Sequence, residues 1–396
     1  MFVGAARASP RLDSRLISGC FVVSSLAAGA VVIGLHGRLA SRFGIPDIVA
    51  LAVLVASTLP PLLYPIFLRF HRTLGPVAGL AMVLTVAVAQ PRFVAASMRN
   101  PTSGSDQAEC IIVGLTSLSR GQWPYDATEM SKRNPMSCGP LWLITHWPAA
   151  VTGYSVAFGA IMIGALMVIG FLNGWATTSR LLVMLSLTPA TWLSLIVGSD
   201  FLTFGLCTAA FAAVTTSTSP ALRRVAIPAS LLVAHFRLPF AGLPAAIFLR
   251  RNADGRLLGL RTATFTTVAS VAFWALLYVV DAERYVAMGP MHVIGKVEVM
   301  TGTGIDQAAA VVTMIMLSAV LALVCSRLSV VSGITVFCAV MLIPMALANG
   351  YQMLRYAYPH WEGAFWLVPL VALTAFALAD RPIKLNSPRR PKIVRR

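Results

Sequence analysis

GSDQAECIIVGLTSLSRGQWPYDATEMSKRNPMSCGP, residues 104–140, is the one long polar interruption in an otherwise apolar chain. It carries Asp106, Glu109, Asp126 and Glu129, together with Gln122-Trp123-Pro124-Tyr125, Asn134-Pro135 and Gly139-Pro140-Leu141. Crossing a bilayer calls for no such gathering of carboxylates, whereas chemistry on a polar group at a membrane surface does. On both sides run apolar segments near the roughly 20 residues that a spanning helix needs. The reading that follows is an all-α, polytopic integral membrane protein with this loop facing outward.

Composition supports that class. Of the 396 residues 57% are hydrophobic and 11% charged, where soluble domains carry about a quarter charged residues. A net charge of +17 on a soluble chain would point to nucleic acid. Here the basic residues cluster at helix ends and in the tail, where the positive-inside rule and anionic lipid account for them. No nucleic-acid partner is expected; the bilayer is.

Spanning-length apolar segments lie near 16–35, 47–69, 75–91, 154–174, 181–198, 200–218, 222–238, 239–250, 262–281, 306–326, 328–350 and 363–380, roughly twelve spans. Residues 222–250 read either as two short helices meeting at Pro239 or as one broken helix. Arg7, Arg11 and Arg15 precede the first segment, which is too long for a signal peptide and lacks a clear cleavage site, so a retained helix is expected. With the N-terminus inside, most of the 31 Lys and Arg fall on the cytoplasmic side, including Arg180, Arg223, Arg224, Arg250, Arg251, Arg327 and the tail 381–396. Both termini are then cytoplasmic, and the loop 92–153 lies outside, between the third and fourth spans. Of 14 acids only Asp13, Asp254 and Asp380 fall inside. The outer acids serve either chemistry or loop solubility. Leu141-Trp142-Leu143-Ile144-Thr145-His146-Trp147-Pro148 is too short to span, and its tryptophans suggest an interfacial helix. The whole chain, 1–396, reads as a single membrane domain.

Asp106, just past a helix end, suits a general base that takes a proton from a hydroxyl, with Glu109 three residues on. The same pair fits an N-terminal capping box. His235 and Arg237 sit at membrane depth, where charges are rare and either functional or paired; an ion pair with Asp200 is the plain alternative. His292, Lys296, Arg355 and His360 on outer segments could meet a phosphate, and aromatics around Arg355 suit sugar stacking or an ordinary aromatic belt. Trp123 and Tyr125 have the same two readings. Cys110 and Cys138 flank the loop and could pair if it faces an oxidising compartment, which the sequence leaves open. There is no HExxH, Walker or GxSxG motif and no zinc spacing, so neither a metal nor a cofactor is implied.

In order, Asp106, Gly121-Gln122-Trp123-Pro124-Tyr125 and Gly139-Pro140-Leu141-Trp142 resemble the GT-C type membrane glycosyltransferases that use polyprenyl-phosphate sugars. The nearest likeness is to the polyprenol-phosphate-mannose-dependent mannosyltransferases of glycosyltransferase family 87. Gly198-Ser199-Asp200 resembles a Gly-Gln-x-Asn-like outer turn of that family, although Asp200 is not an amide. His235-Phe236-Arg237-Leu238-Pro239 resembles its Lys-x-x-Pro segment, although Arg237 stands where lysine is more usual. The likeness covers about 100–260. It implies inverting transfer of a sugar, mannose by expectation, from polyprenyl phosphate to a glycolipid or cell-envelope glycan. Asp106, with Glu109, would be catalytic. Tyr125, Asp200, His235, Arg237, His292, Lys296, Arg355 and His360 would bind substrate, Arg237 and His235 facing the leaving phosphate. The rival is a secondary transporter or lipid-linked sugar flippase, which would usually show two matched halves and mid-membrane charges.

Overall fold

A computed structural model describes residues 14–99, 107–130, 138–251, 256–282, 284, 304, 307–356 and 365–381. The described chain is helical almost throughout. In order the main helices are α1 (Ser14–Gly34), α2 (His36–Phe43), α3 (Asp47–Thr58), α4 (His71–Leu84), α5 (Gln90–Arg99), α6 (Gln107–Ser119), α7 (Pro140–Thr145), α8 (Tyr154–Asn173), α9 (Trp175–Ser186) and α10 (Pro189–Val197). There follow α11 (Asp200–Thr216), α12 (Pro220–Ala234), α13 (Leu243–Phe248), α14 (Leu260–Val280), α15 (Gln307–Cys325), α16 (Val330–Tyr356) and α17 (Val368–Ala379). Between α13 and α14, Arg250–Arg251 pairs antiparallel with Leu257–Leu258.

Among the described residues, five helical runs are long and apolar enough to cross a membrane: Ser14–Gly34, Asp47–Arg99, Tyr154–Asn173, Leu260–Val280 and Val330–Tyr351. The 53-residue run Asp47–Arg99 contains both 47–69 and 75–91. Shorter apolar helices, among them Asp200–Thr216, Val312–Cys325 and Val368–Ala379, stand where further segments were expected. The segment 181–198 is not one straight helix. α9 and α10 meet at a 91° bend, because Thr188 must be extended (φ −103°, ψ 117°) ahead of Pro189 at the first position of α10. Residues 222–250 take the two-helix form. α12 ends at Ala234, and a 3₁₀ turn, Leu238–Gly242, leads into α13.

α11 and α17 form the centre and are buried along nearly their whole length. They approach closely because Gly205 lies on Pro369 and Ala372: a Cβ there would stand 2.8 Å from Pro369 Cα. Arg180 on α9 donates from Nη1 to the carbonyls of Ala379 and Arg381, closing the end of α17. Asn173 at the end of α8 donates to Asp380 at 2.7 Å. α3, α14 and α15 turn valine, leucine, isoleucine and phenylalanine outward, Val53, Phe265, Val279 and Ile315 among them. A soluble domain does not expose apolar side chains on this scale; a bilayer accommodates them.

Candidate functional site

At one end of the bundle the start of α7, the start of α8, the end of α10, the start of α11 and the end of α12 converge. Gly198 makes this possible. It ends α10 in the left-handed region (φ +70°), and a Cβ there would stand 2.7 Å from Tyr154 Cε1. The Tyr154 hydroxyl donates to the Gly198 carbonyl at 2.6 Å. The chain then turns through extended Ser199 and opens α11 with Asp200 in its first turn, where the helix dipole favours a carboxylate.

Asp200 is buried and accepts three hydrogen bonds. Arg237 Nη1 and Nη2 donate to Oδ2 and Oδ1 at 3.1 and 3.2 Å, and Trp142 Nε1 donates to Oδ2 at 3.1 Å. The Arg237 guanidinium lies over the Phe236 and Phe201 rings at 4.3 and 5.1 Å. Three ion pairs occur among the described residues. His36–Asp47 and Asp281–Arg284 are solvated, and Asp200–Arg237 alone is buried. Such a pair persists in apolar surroundings through good geometry and further hydrogen bonds: the guanidinium meets the carboxylate with both terminal nitrogens, and Nη1 also donates to the Phe236 carbonyl at 2.7 Å. The ion pair with Asp200, one of the readings open for Arg237, is present.

The polar loop returns onto this pair. Tyr125 is fully buried and its hydroxyl donates to the Cys138 carbonyl at 2.8 Å. Trp123 packs on Tyr125, centroids 5.6 Å apart, so neither ring stands on an open interfacial belt. The Gly139 N–H donates to the His235 carbonyl at 2.7 Å. Trp142 corrects the expectation of an interfacial helix at its own position: it is buried, edge-on to Phe204 and Phe236, while Trp147 is exposed. Cys110 and Cys138 are not joined, which answers the pairing that the sequence left open. Cys110 Sγ instead meets Met130 Sδ at 3.7 Å, and the loop end is fixed by Tyr125.

Glu109 is buried in the first turn of α6. Its neighbour Ala108 lies close to Gly198 and would be 3.4 Å from a Cβ there. His235 is buried against Trp274. Arg355 falls in the last turn of α16. Asp106, His292, Lys296 and His360 lie outside the described residues.

Two further groups join the site without having been singled out in the sequence. His146 is fully buried, donates from Nδ1 to the Trp142 carbonyl at 3.1 Å and stacks on Tyr154 at 7° between planes. Gln90 is fully buried and donates to the Leu195 carbonyl at 2.7 Å. Both are polar residues inside apolar runs, the signal that marked His235 and Arg237. Among the described residues no three of His, Cys, Asp and Glu come together to hold a metal ion. Set against family models, curated proteins and solved structures, the chain matches none.

Proposed function

We propose that the chain is an inverting glycosyltransferase of the outer membrane face, moving a sugar from polyprenyl phosphate to a glycolipid or cell-envelope glycan. One observation carries this reading. Four stretches spread between residues 125 and 237, around Tyr125, Gly139–Trp142, Gly198–Asp200 and His235–Arg237, hydrogen-bond into a single network. These are the stretches in which the resemblance to polyprenyl-phosphate-mannose-dependent enzymes resides.

In this reading the acceptor hydroxyl oxygen attacks the anomeric carbon, the bond from that carbon to the phosphate oxygen breaks, and polyprenyl phosphate leaves. Asp106 accepts the hydroxyl proton. It lies two residues before Ala108, the residue that packs by Gly198. Arg237 is committed to Asp200 and acts by holding Trp142 and the loop in place. The charge on the leaving phosphate falls to the outer cations His292, Lys296, Arg355 and His360.

Membranes containing the chain, given polyprenyl-phosphate [14C]mannose, should yield a labelled glycolipid or glycan. Asp106→Asn should keep fold and donor binding while transfer falls at least ~100-fold, the usual share of a general base. Unchanged transfer by that variant would remove Asp106 from the mechanism. Absence of product from mannose, glucose and arabinose donors alike would sink the reading.

The 91° break between α9 and α10 favours a second reading, since interrupted helices are a transporter device. A lipid-linked sugar flippase would move labelled lipid across vesicles without forming product.

A further inference from the structure

The chain between α13 and α14 gathers positive charge beside a lipid-facing surface, and the proposed reaction uses neither. Residues 250–261, Arg-Arg-Asn-Ala-Asp-Gly-Arg-Leu-Leu-Gly-Leu-Arg, carry four arginines and one acid, Asp254, which lies outside the described residues. Arg250 and Arg251 stand opposite Leu258 and Leu257 in the two-stranded hairpin. Gly259 closes the fold-back. It lies in the left-handed region (φ +73°), and a Cβ there would meet the Phe248 carbonyl at the end of α13. The second strand can therefore press against α13 and lead directly into α14.

The hairpin is anchored by its first strand. Arg250 Nη1 donates to the Ala246 and Leu249 carbonyls at 2.9 and 2.6 Å, closing the end of α13. The Arg251 N–H donates to the Ser326 carbonyl at 3.0 Å, just past the end of α15. That bond brings the next residue, Arg327, alongside the hairpin. Arg327 is exposed, as are Arg256 at the second strand and Arg261 at the start of α14.

The same surface is apolar on its other side. Leu257, Leu258 and Leu260 are exposed, and they continue into the outward face of α14, where Phe265 and Val268 are exposed in turn. α14 is long and apolar enough to cross a membrane. The arginines thus stand where a lipid-covered face ends. A nucleic acid or an acidic protein segment would match the guanidinium groups and leave the leucines uncovered. An anionic phospholipid matches both, its phosphate meeting arginine and its acyl chains meeting leucine.

We infer that the α13–α14 hairpin and the end of α15 form a docking surface for an anionic phospholipid. Arg256, Arg261 and Arg327 meet the headgroup, and Leu257, Leu258 and Leu260 meet the chains. Lipid docking there is independent of which reaction the chain performs. Native mass spectrometry of the purified full-length chain, stripped of lipid in detergent, gives apparent Kd values for dioleoyl-phosphatidylglycerol and dioleoyl-phosphatidylcholine. The parent chain should bind phosphatidylglycerol at least ~10-fold more tightly. The triple variant Arg256→Gln, Arg261→Gln, Arg327→Gln should lose that preference, at about 5-fold for each arginine. Arg92→Gln, Arg99→Gln, Arg120→Gln removes the same charge from exposed positions in α5 and after α6, and should keep it. Leu257→Ser with Leu258→Ser should weaken phosphatidylglycerol at least ~3-fold without removing charge. Thermal unfolding checks each fold, and single arginine variants replace a triple that does not fold. Equal affinity for the two lipids, equal losses in the two arginine triples, or no loss in the leucine pair would each overturn the surface. An oligothymidylate bound as tightly as phosphatidylglycerol, and lost with the hairpin triple, would give these arginines to nucleic acid instead.

Discussion

At Asp200 the carboxylate, the guanidinium and the indole depend on one another. Two ionic hydrogen bonds and one neutral one satisfy a charge that would otherwise lie unsolvated against phenylalanine rings. Removing either ion strands the other, at a cost of about 3–5 kcal/mol. Asp200→Ala and Arg237→Ala should each destabilise the chain by about that much in detergent unfolding, and the double variant should recover much of the loss. Additive losses would show that the two charges do not depend on each other. Gly198→Ala tests the neighbouring turn: it meets Tyr154 and forces a left-handed alanine, so about 1–2 kcal/mol should be lost. Asp200 and Arg237 were visible in the sequence as charges in apolar runs. That they pair could be posed only as an alternative, because 37 residues and two helices separate them. Trp142 was misread because a tryptophan in a short apolar turn looks the same whether it faces lipid or protein.

Helix by helix, hydropathy found most elements and missed their breaks. A window averaged over 181–198 cannot register that Thr188-Pro189 turns the chain through 91°, since both flanks are equally apolar. Proline chemistry carries that information, as it did at Pro239, where the alternative of two short helices was left open. Close packing was also invisible, because a glycine in an apolar run says nothing of its partner. Gly205 shows the consequence. A valine there would drive its Cβ to 2.8 Å from Pro369 Cα and 2.9 Å from Ala372 Cβ, and backbone on the α17 side leaves nothing free to yield. Gly205→Val should therefore destabilise the bundle by about 1–3 kcal/mol, read as a lowered unfolding midpoint. An unchanged midpoint would mean that α11 and α17 separate without loss.

The whole molecule has two unlike ends. One gathers Asp200, Arg237, His146 and His235 beneath the returning loop; the other carries Arg180, the Asn173–Asp380 bond and the Arg250–Arg251 hairpin. Between them runs an outward apolar surface that only lipid would cover. The apolar girdle was legible from composition. The gathering of polar groups at one end was not, because it depends on α8, α10, α11 and α12 all placing a terminus there. Which end faces outward rests on the distribution of arginine, and labelling decides it. Thr128 and Arg256 are both exposed, the first in the loop before α7 and the second beside the hairpin. Single substitutions Thr128→Cys and Arg256→Cys are treated in intact cells with a membrane-impermeant maleimide, against the parent chain as background for the six native cysteines. Cys at 128 should label before lysis and Cys at 256 only after it. Labelling of both from outside would break the helix threading between them. The reverse pattern would turn the acid-bearing loop toward the cytosol, away from any donor in the outer leaflet.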